Sequence, residues 1–248
     1  MRIGLAAMVF LLATSLLRAD RLADITRLHL EVTGGAGPVA ALAAIRAQGV
    51  IFLEGLRVRF VLTAARPNRL RLETEAEGQK QVLAYDGIEH PWEFDANAWP
   101  PRIRILSEPN ASRIVADAEY DGALTGGSAR GFRLEFSGEV ERDGRNYLRL
   151  LVAYKFIETY TLLLDPETCL IAYRIDTQSN ASGETVDTVT QYESYQPVDG
   201  VLLPHEIITS VNGVVTERMR IDQIEANPAL SDDMFAPPDL PSSAVQRN

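Results

Sequence analysis

The spacing of apolar positions changes once along the chain. Between Asp20 and Val32 they recur at Leu22, Ile25, Leu28 and Val32, one face of a helix, and Gly34-Gly35 ends that segment. From Pro38 to Ala47, a proline near the start, internal alanines and a Val39, Leu42, Ile45 stripe predict a second helix. Beyond Gly49 the period falls to two. Leu56, Val58, Phe60 and Leu62 alternate with Arg57, Arg59 and Val61, and Leu70 and Leu72 with Arg69, Arg71 and Glu73. Phe132, Leu134 and Phe136 alternate with Arg133 and Glu135. Leu148, Leu150 and Val152 follow the same rule, as do Ile171, Tyr173 and Ile175 set against Arg174 and Asp176. This pattern predicts strands with one apolar and one solvated face.

Reversal signals sit between these runs. Asp86-Gly87, Asp143-Gly144, Asp199-Gly200 and Asn212-Gly213 favour positive φ, and the second and fourth lie between alternating runs, as tight hairpins require. The reading is mainly β (α+β): about ten antiparallel strands and a few short helices. No helix of 10–15 residues separates successive strands after residue 49, which excludes a doubly wound α/β fold. Ser112 to Tyr120 is expected as a short helix capped by Ser112. The polar stretch from Gln178 to Asp187 is expected as a loop, and residues 237–248, rich in proline and serine, as a flexible tail.

The start of the chain bears on its compartment. Arg2 precedes an apolar run from Ile3 to Leu12 that continues to Leu17, the pattern of a secretory signal and short for a membrane span, which takes about 20 residues. Cleavage fits after Ser15, within Ala13-Thr14-Ser15, or after Ala19. Ala19 is favoured because Asp20 opens the first helix, and a buried N-terminal helix is the competing reading. No cysteine follows the run, so the product is not itself lipidated. The expected organisation is a signal at 1–19, one domain at 20–236 and the tail.

Composition then narrows the partners. Of 248 residues, 46% are hydrophobic, which supplies a core and excludes a disordered chain. The 24 Lys+Arg against 34 Asp+Glu give a net charge of -10, which disfavours nucleic acid as a partner. A single cysteine, Cys169, excludes an internal disulfide and suits a bacterial periplasm. His29, His90 and His205 are far apart and match no metal spacing. Gly126-Gly127-Ser128-Ala129-Arg130-Gly131 departs from a nucleophile elbow and precedes a strand. No catalytic, metal or cofactor set emerges, and the chain reads as a non-enzyme. The chemistry that remains is the sheet. Either its apolar face is filled by the helices as plain core, or it leaves a groove for apolar ligands. Each buried methylene contributes about 0.8 kcal/mol to holding such a ligand.

Several ordered motifs resemble the outer-membrane lipoprotein-sorting-like proteins of the LolA/LolB type. In the C-terminal third they are Tyr195-Gln196-Pro197-Val198-Asp199-Gly200-Val201, Pro204, Asn212-Gly213, Ile224-Glu225-Ala226-Asn227-Pro228 and Asp233-Met234-Phe235-Ala236-Pro237. Upstream they are Arg66-Pro67-Asn68-Arg69-Leu70-Arg71-Leu72-Glu73, Tyr85-Asp86-Gly87 with Trp92, Ala118-Glu119-Tyr120-Asp121-Gly122, Tyr147-Leu148 and Leu164-Asp165-Pro166-Glu167-Thr168. The resemblance implies an incomplete antiparallel β-barrel wrapped around helices, and a monomeric periplasmic carrier without catalysis. It would shelter lipid or lipoprotein acyl chains, exchanged transiently with membrane-protein donors or acceptors. The early helices and the 112–120 segment would act as lid or plug. Phe60, Leu62, Leu70, Leu72, Phe132, Leu134 and Phe136 would line the cavity, with Trp92 and Trp99 at its rim. Arg57, Arg59, Arg69 and Arg71 are candidates for a ligand-handling arginine, against the alternative that they face solvent. The same resemblance also allows an envelope-stress sensor that binds a membrane-anchored protein.

Overall fold

The computed structural model describes residues 20–247 apart from 109, 156–157, 180–182, 232, 240 and 242–244. The expected signal at 1–19 lies outside the described residues. Residues 20–33 form helix α1, followed by the short helix α2 (Ala36–Ala41). Six strands come next: β1 (Ala44–Leu53), β2 (Leu56–Ala65), β3 (Arg69–Ala76), β4 (Gln79–Tyr85), β5 (Trp92–Asp95) and β6 (Arg102–Ile105). Helix α3 (Asn110–Asp117), a π turn at Gly122–Gly126 and a 3-10 turn at Gly127–Arg130 interrupt them. The chain continues with β7 (Phe132–Arg142), β8 (Arg145–Tyr154), β9 (Glu158–Leu164), β10 (Ile171–Ser179) and β11 (Thr185–Glu193). It ends with β12 (Gln196–Val198), β13 (Val201–Leu203), β14 (Glu206–Val211), β15 (Val214–Ala226) and β16 (Val245–Arg247).

Among the described residues, fourteen of these strands form one sheet in the order β16-β6-β5-β4-β3-β2-β1-β15-β14-β11-β10-β9-β8-β7. Its two ends do not pair, so the sheet is open, and β12 and β13 form a separate hairpin. The excess over ten strands lies in short strands and in segments expected as loop or tail. β5, β6 and β16 have three or four residues each, and β10 and β11 extend into the expected loop at 178–187. Within the expected tail, Val245–Arg247 pairs in parallel with β6. Asp143-Gly144 and Asn212-Gly213 do close hairpins, with φ of 51° and 75° in the first and 48° and 81° in the second.

The expected helix over 38–47 is corrected. α2 ends at Ala41, and β1 starts at Ala44. β1 is hydrogen-bonded along its length to β2 on one side and β15 on the other. Two ladders outweigh the few tenths of a kcal/mol per residue by which alanine favours helix. The small side chains have a packing role instead: Ala44 lies against Ala65 and Phe235, and Ala47 against Phe60 and Ile51. The Ser112 cap is corrected too. α3 begins at Asn110, and the Ser112 hydroxyl, inside the helix, donates to the Glu108 carboxylate.

Strand register carries one face across the whole sheet. Leu72 lies opposite Leu62, and Phe60, on the side of Leu62, opposite Gly49. Ile51, two residues on from Gly49, lies opposite Met219, and Met219 opposite Ile207. Ile207 lies opposite Tyr192, and Arg174 opposite Thr190 of the same strand. Arg174 lies opposite Leu162, Leu162 opposite Leu150 and Leu150 opposite Phe136. α3 packs on this face at both ends. Ala111, Ile114 and Ala118 touch the cluster of Leu70, Leu83 and Tyr85 on β3 and β4, while Asp117 pairs with Arg174 on β10 at 3.1 Å. Seven strand-to-strand steps separate β4 from β10, about 34 Å on a flat sheet. An eight-residue helix is about 12 Å long. The sheet must therefore roll around the helices, with the register-defined face inside, and the architecture is an incomplete barrel.

Gly49 fixes a bulge in the central strand. The pairing of β1 with β15 slips between Gln48 and Gly49, and a Cβ on Gly49 would sit 2.0 Å from the Arg220 carbonyl oxygen. A Gly49→Ala variant is expected to lose about 1–3 kcal/mol in urea unfolding. Gly37→Ala, in an open position of α2, should be neutral or stabilise by up to about 1 kcal/mol.

Candidate functional site

The inner face carries all seven expected apolar residues of β2, β3 and β7, in three groups. Phe60 is 2% exposed and packs with Ile51, Val58 and Ile221, with Leu62 and Leu72 at the border of the group. Leu70 joins the cluster under α3. Phe132, Leu134 and Phe136 pack with Leu148, Leu150, Val152 and Leu162 beneath Ile25, Leu22 and Leu28 of α1.

The two tryptophans lie elsewhere. Trp92 is opposite Ala84 and therefore on the outer face, where it is 3% exposed. Its indole N–H donates to the Phe235 carbonyl at 3.1 Å, and Arg71 donates to the Met234 carbonyl at 3.0 Å. Trp92 thus fastens the segment around Phe235 to the back of the sheet. Trp99 is 91% exposed in the β5–β6 loop.

Polar contacts hold the helices against the inner face. On α1, the buried His29 donates from Nδ1 to the Cys169 carbonyl at 2.8 Å. Burial pulls the His29 pKa below its ordinary 6.5, and this hydrogen bond offsets only part of that. Burial likewise pushes the Cys169 thiol up, which leaves it unreactive. Beyond α3, the Glu119 side chain is 1% exposed and accepts from Arg130 at 2.6 and 2.9 Å and from the Tyr154 hydroxyl at 2.6 Å. Lys155 Nζ lies 3.6 Å away. Burial, and then the hydrogen bond to Glu119, raise the Tyr154 pKa. Two residues on, Asp121 pairs with Arg66 at 2.6 Å, and Arg66 also donates to the carbonyls of Val39, Ala40 and Leu42 at the end of α2. One short segment therefore ties the end of β8, the β2–β3 connection and α2 together.

Of the arginines singled out in the sequence, all four face outward. Arg59 pairs with Glu75, Arg71 with Glu73, Arg69 stacks over Phe235 and Arg57 over Phe52. The inner face has an arginine that the alternation assigned to solvent. Arg174 sits between Asp117 at 3.1 Å and Asp176 at 2.9 Å, 4.2 Å above the Tyr160 ring. Burial opposes its charge, but Asp176 and Asp117 outweigh that and hold its pKa above the ordinary value. Burial also pushes Tyr160 and Tyr192 up to about 12. The period of two in β10 is correct, but its faces are reversed: Tyr173 packs outside with Tyr147 and Leu163, while Arg174 points in. A warning signal was present in β8, where Tyr147-Leu148 and Leu150-Leu151-Val152 place apolar residues on both faces.

Two hollows border the helices. One of about 270 Å³ lies between α3, the β4–β5 connection and the end of β8, lined by His90, Pro91, Ala111, Val115 and Tyr154. The other, about 600 Å³, occupies the inner face of β3 to β6 where no helix covers it. Leu72 and Leu83 line it on β3 and β4, beside Thr74 and Gln81, and Glu93, Asp95, Arg102 and Arg104 line it on β5 and β6. Two further hollows, of about 560 and 670 Å³, lie on the opposite face, one lined by Arg59, Glu75 and Lys80 among others and the other by Thr159, Thr161 and Thr177. Among the described residues, no three His, Cys, Asp or Glu side chains gather into a metal-ligand set.

No family model matches the sequence, and no curated protein does. Solved structures do match in fold. An outer membrane lipoprotein-sorting protein domain from Vibrio parahaemolyticus aligns with a TM-score of 0.58 at 10% identity, covering 86% of this chain and 95% of that one. A LolA superfamily protein from Nitrosomonas europaea gives 0.54 at 13% identity over 84% and 96%. A DUF1329 family protein from Desulfovibrio piger gives 0.57 at 13% over 91% and 99%. The chain thus has a LolA-like fold, and the likeness extends over most of its length.

The helix anchors generate two predictions. Glu119→Ala leaves Arg130 and Tyr154 unpaired and should cost about 3–5 kcal/mol in urea unfolding. For His29, a folded pKa below 6.5 means that the unfolded chain binds the extra proton first. Stability should therefore fall as pH drops below about 6.5 toward the folded value, by at most about 1.4 kcal/mol per pH unit. His29→Gln, which can still donate to Cys169, should show a flatter dependence between pH 7 and 5 than wild type.

Proposed function

We propose that this protein is a carrier of the bacterial periplasm that shelters lipid acyl chains or lipoprotein acyl groups, without catalysing a reaction. In this reading residues 1–19 are a cleaved export signal and residues 20–236 the carrier domain. One observation carries it: a wide apolar inner face on an open sheet is covered by short helices, and an uncovered hollow adjoins that cover. The fold shared with a lipoprotein-sorting protein domain supports the same reading. Among the described residues no helix is long and apolar enough to cross a membrane.

The cover suits exchange. α3 lies on apolar residues at one edge and on the ion pair with Arg174 at the other. Ligand and helix compete for the same apolar surface, so the differential affinity of open and closed forms sets how readily cargo enters and leaves. A group held through a charge pair is resolvated when it lifts, which keeps the open form accessible.

Delipidated protein is expected to bind a fluorescent fatty acid, and Leu72→Glu, which puts a charge in the lining of the open hollow, should weaken binding at least about tenfold, or ~1.4 kcal/mol. Arg174→Ala should speed hydrogen exchange in α3 ahead of the sheet. No fatty-acid binding by correctly folded, delipidated protein overturns the carrier reading.

A further inference from the structure

In the hollow on β3 to β6, Leu72 and Leu83 lie level with Glu93 and Arg104, and Thr74, Gln81, Asp95 and Arg102 form the next row out. β5 and β6 place four charges there in two facing rows, with Glu93 opposite Arg104 and Asp95 opposite Arg102. The deeper pair is closed, because Arg104 and Glu93 form an ion pair. The outer pair does not close to ion-pair distance, although the Asn97 N–H first and Arg102 more weakly hold the Asp95 pKa below its ordinary value. Asp95 commits Oδ1 to its own loop, accepting from the Asn97 N–H at 2.9 Å, the Ala98 N–H at 3.2 Å and the Asn97 amide at 3.1 Å. Its Oδ2 takes no part in that turn. Among the described residues Arg102 makes no ion pair within 4.0 Å.

A cation and an anion side by side, one row out from Leu72 and Leu83, select for a ligand with both charges and a tail. A guanidinium presents paired donors suited to a phosphate, and a carboxylate oxygen accepts from an ammonium. A purely anionic headgroup would satisfy Arg102 but bring its phosphate against Asp95. A purely cationic one would meet the reverse conflict. Leu72 and Leu83 lie next inward along the strands, where the first methylenes of a tail would follow. We propose that this end of the hollow binds the zwitterionic phosphate–ammonium headgroup of a phospholipid, with phosphate on Arg102 and ammonium on Asp95. The proposal rests on the carrier reading and names the cargo that the charged end selects.

The test is calorimetric titration of the full chain with monomeric dihexanoyl-phosphatidylethanolamine, dihexanoyl-phosphatidylglycerol, phosphoethanolamine and dodecanol. The ethanolamine lipid should bind about tenfold tighter than the glycerol lipid, and phosphoethanolamine, lacking tails, at least a hundredfold more weakly than the ethanolamine lipid. Asp95→Asn keeps an oxygen acceptor for the loop but removes the charge, and should abolish the preference between the two lipids. Arg102→Gln should weaken both about tenfold, whereas Arg59→Gln, on the outer face, should behave as wild type. Equal affinity for the two lipids in wild type, or an unchanged preference in Asp95→Asn, overturns the headgroup assignment, and dodecanol binding in that case leaves the carrier reading standing. Tight binding of phosphoethanolamine alone overturns the lipid assignment in favour of a small polar ligand. Loss of dodecanol binding along with every lipid overturns both.

Discussion

The architecture depends on a single reach. Strands seven steps apart in an open sheet meet one eight-residue helix, and that requires the sheet to roll. The buried Glu119 carboxylate fixes the roll just beyond that helix. It holds Arg130, Tyr154 and Lys155 together, while Asp121 and Arg66 carry the connection to α2. A carboxylate taken out of water is costly unless each oxygen is matched, and here Oε1 and Oε2 both have partners. The arrangement favours a single relative placement of the two halves, which apolar contact alone, being non-directional, would not set.

The same division between apolar area and polar anchoring recurs across the inner face. α1 lies over Phe132, Leu148 and Leu150 but is oriented by His29. α3 lies over Leu70 and Tyr85 but is oriented by Arg174. Apolar surface supplies affinity that either a helix or a ligand can satisfy, whereas hydrogen bonds and charge pairs specify how each helix is placed. On the outer face the roles are filled differently. Phe235 and Met234 are fixed by Trp92, Arg69 and Arg71, so this segment reinforces the back of the sheet.

Much of the fold and part of the candidate site could be read in the residues. Phe60, Leu62, Leu70, Leu72, Phe132, Leu134 and Phe136 do share one face, because each strand's alternation is strong and a shift by one residue would place all of them in water. Trp92 could not be placed that way. Its four-residue strand alternates Trp92 and Phe94 with Glu93 and Asp95, but the apolar side is the outer one, where it packs on Ala84 and Ile103. Arg174 was missed for a related reason: neighbouring Tyr173 and Ile175 bury themselves on the outside, against Tyr147, Leu163 and Val189.

The sequence by itself determined where strands run, where they reverse and which positions pair on a common face, since these follow from local backbone geometry and a period of two. Asp143-Gly144 and Asn212-Gly213 reverse the chain because their residues tolerate positive φ wherever they occur. Only the tertiary structure decided which face is inside, that Ala44 to Ala47 joins a strand and not a helix, and that Arg174 and Glu119 lie within the roll. Those outcomes depend on partners more than fifty residues away for Arg174 (Asp117) and nearly two hundred for Ala44 (Asn227 and Phe235), and the alanine preference they override is worth only tenths of a kcal/mol.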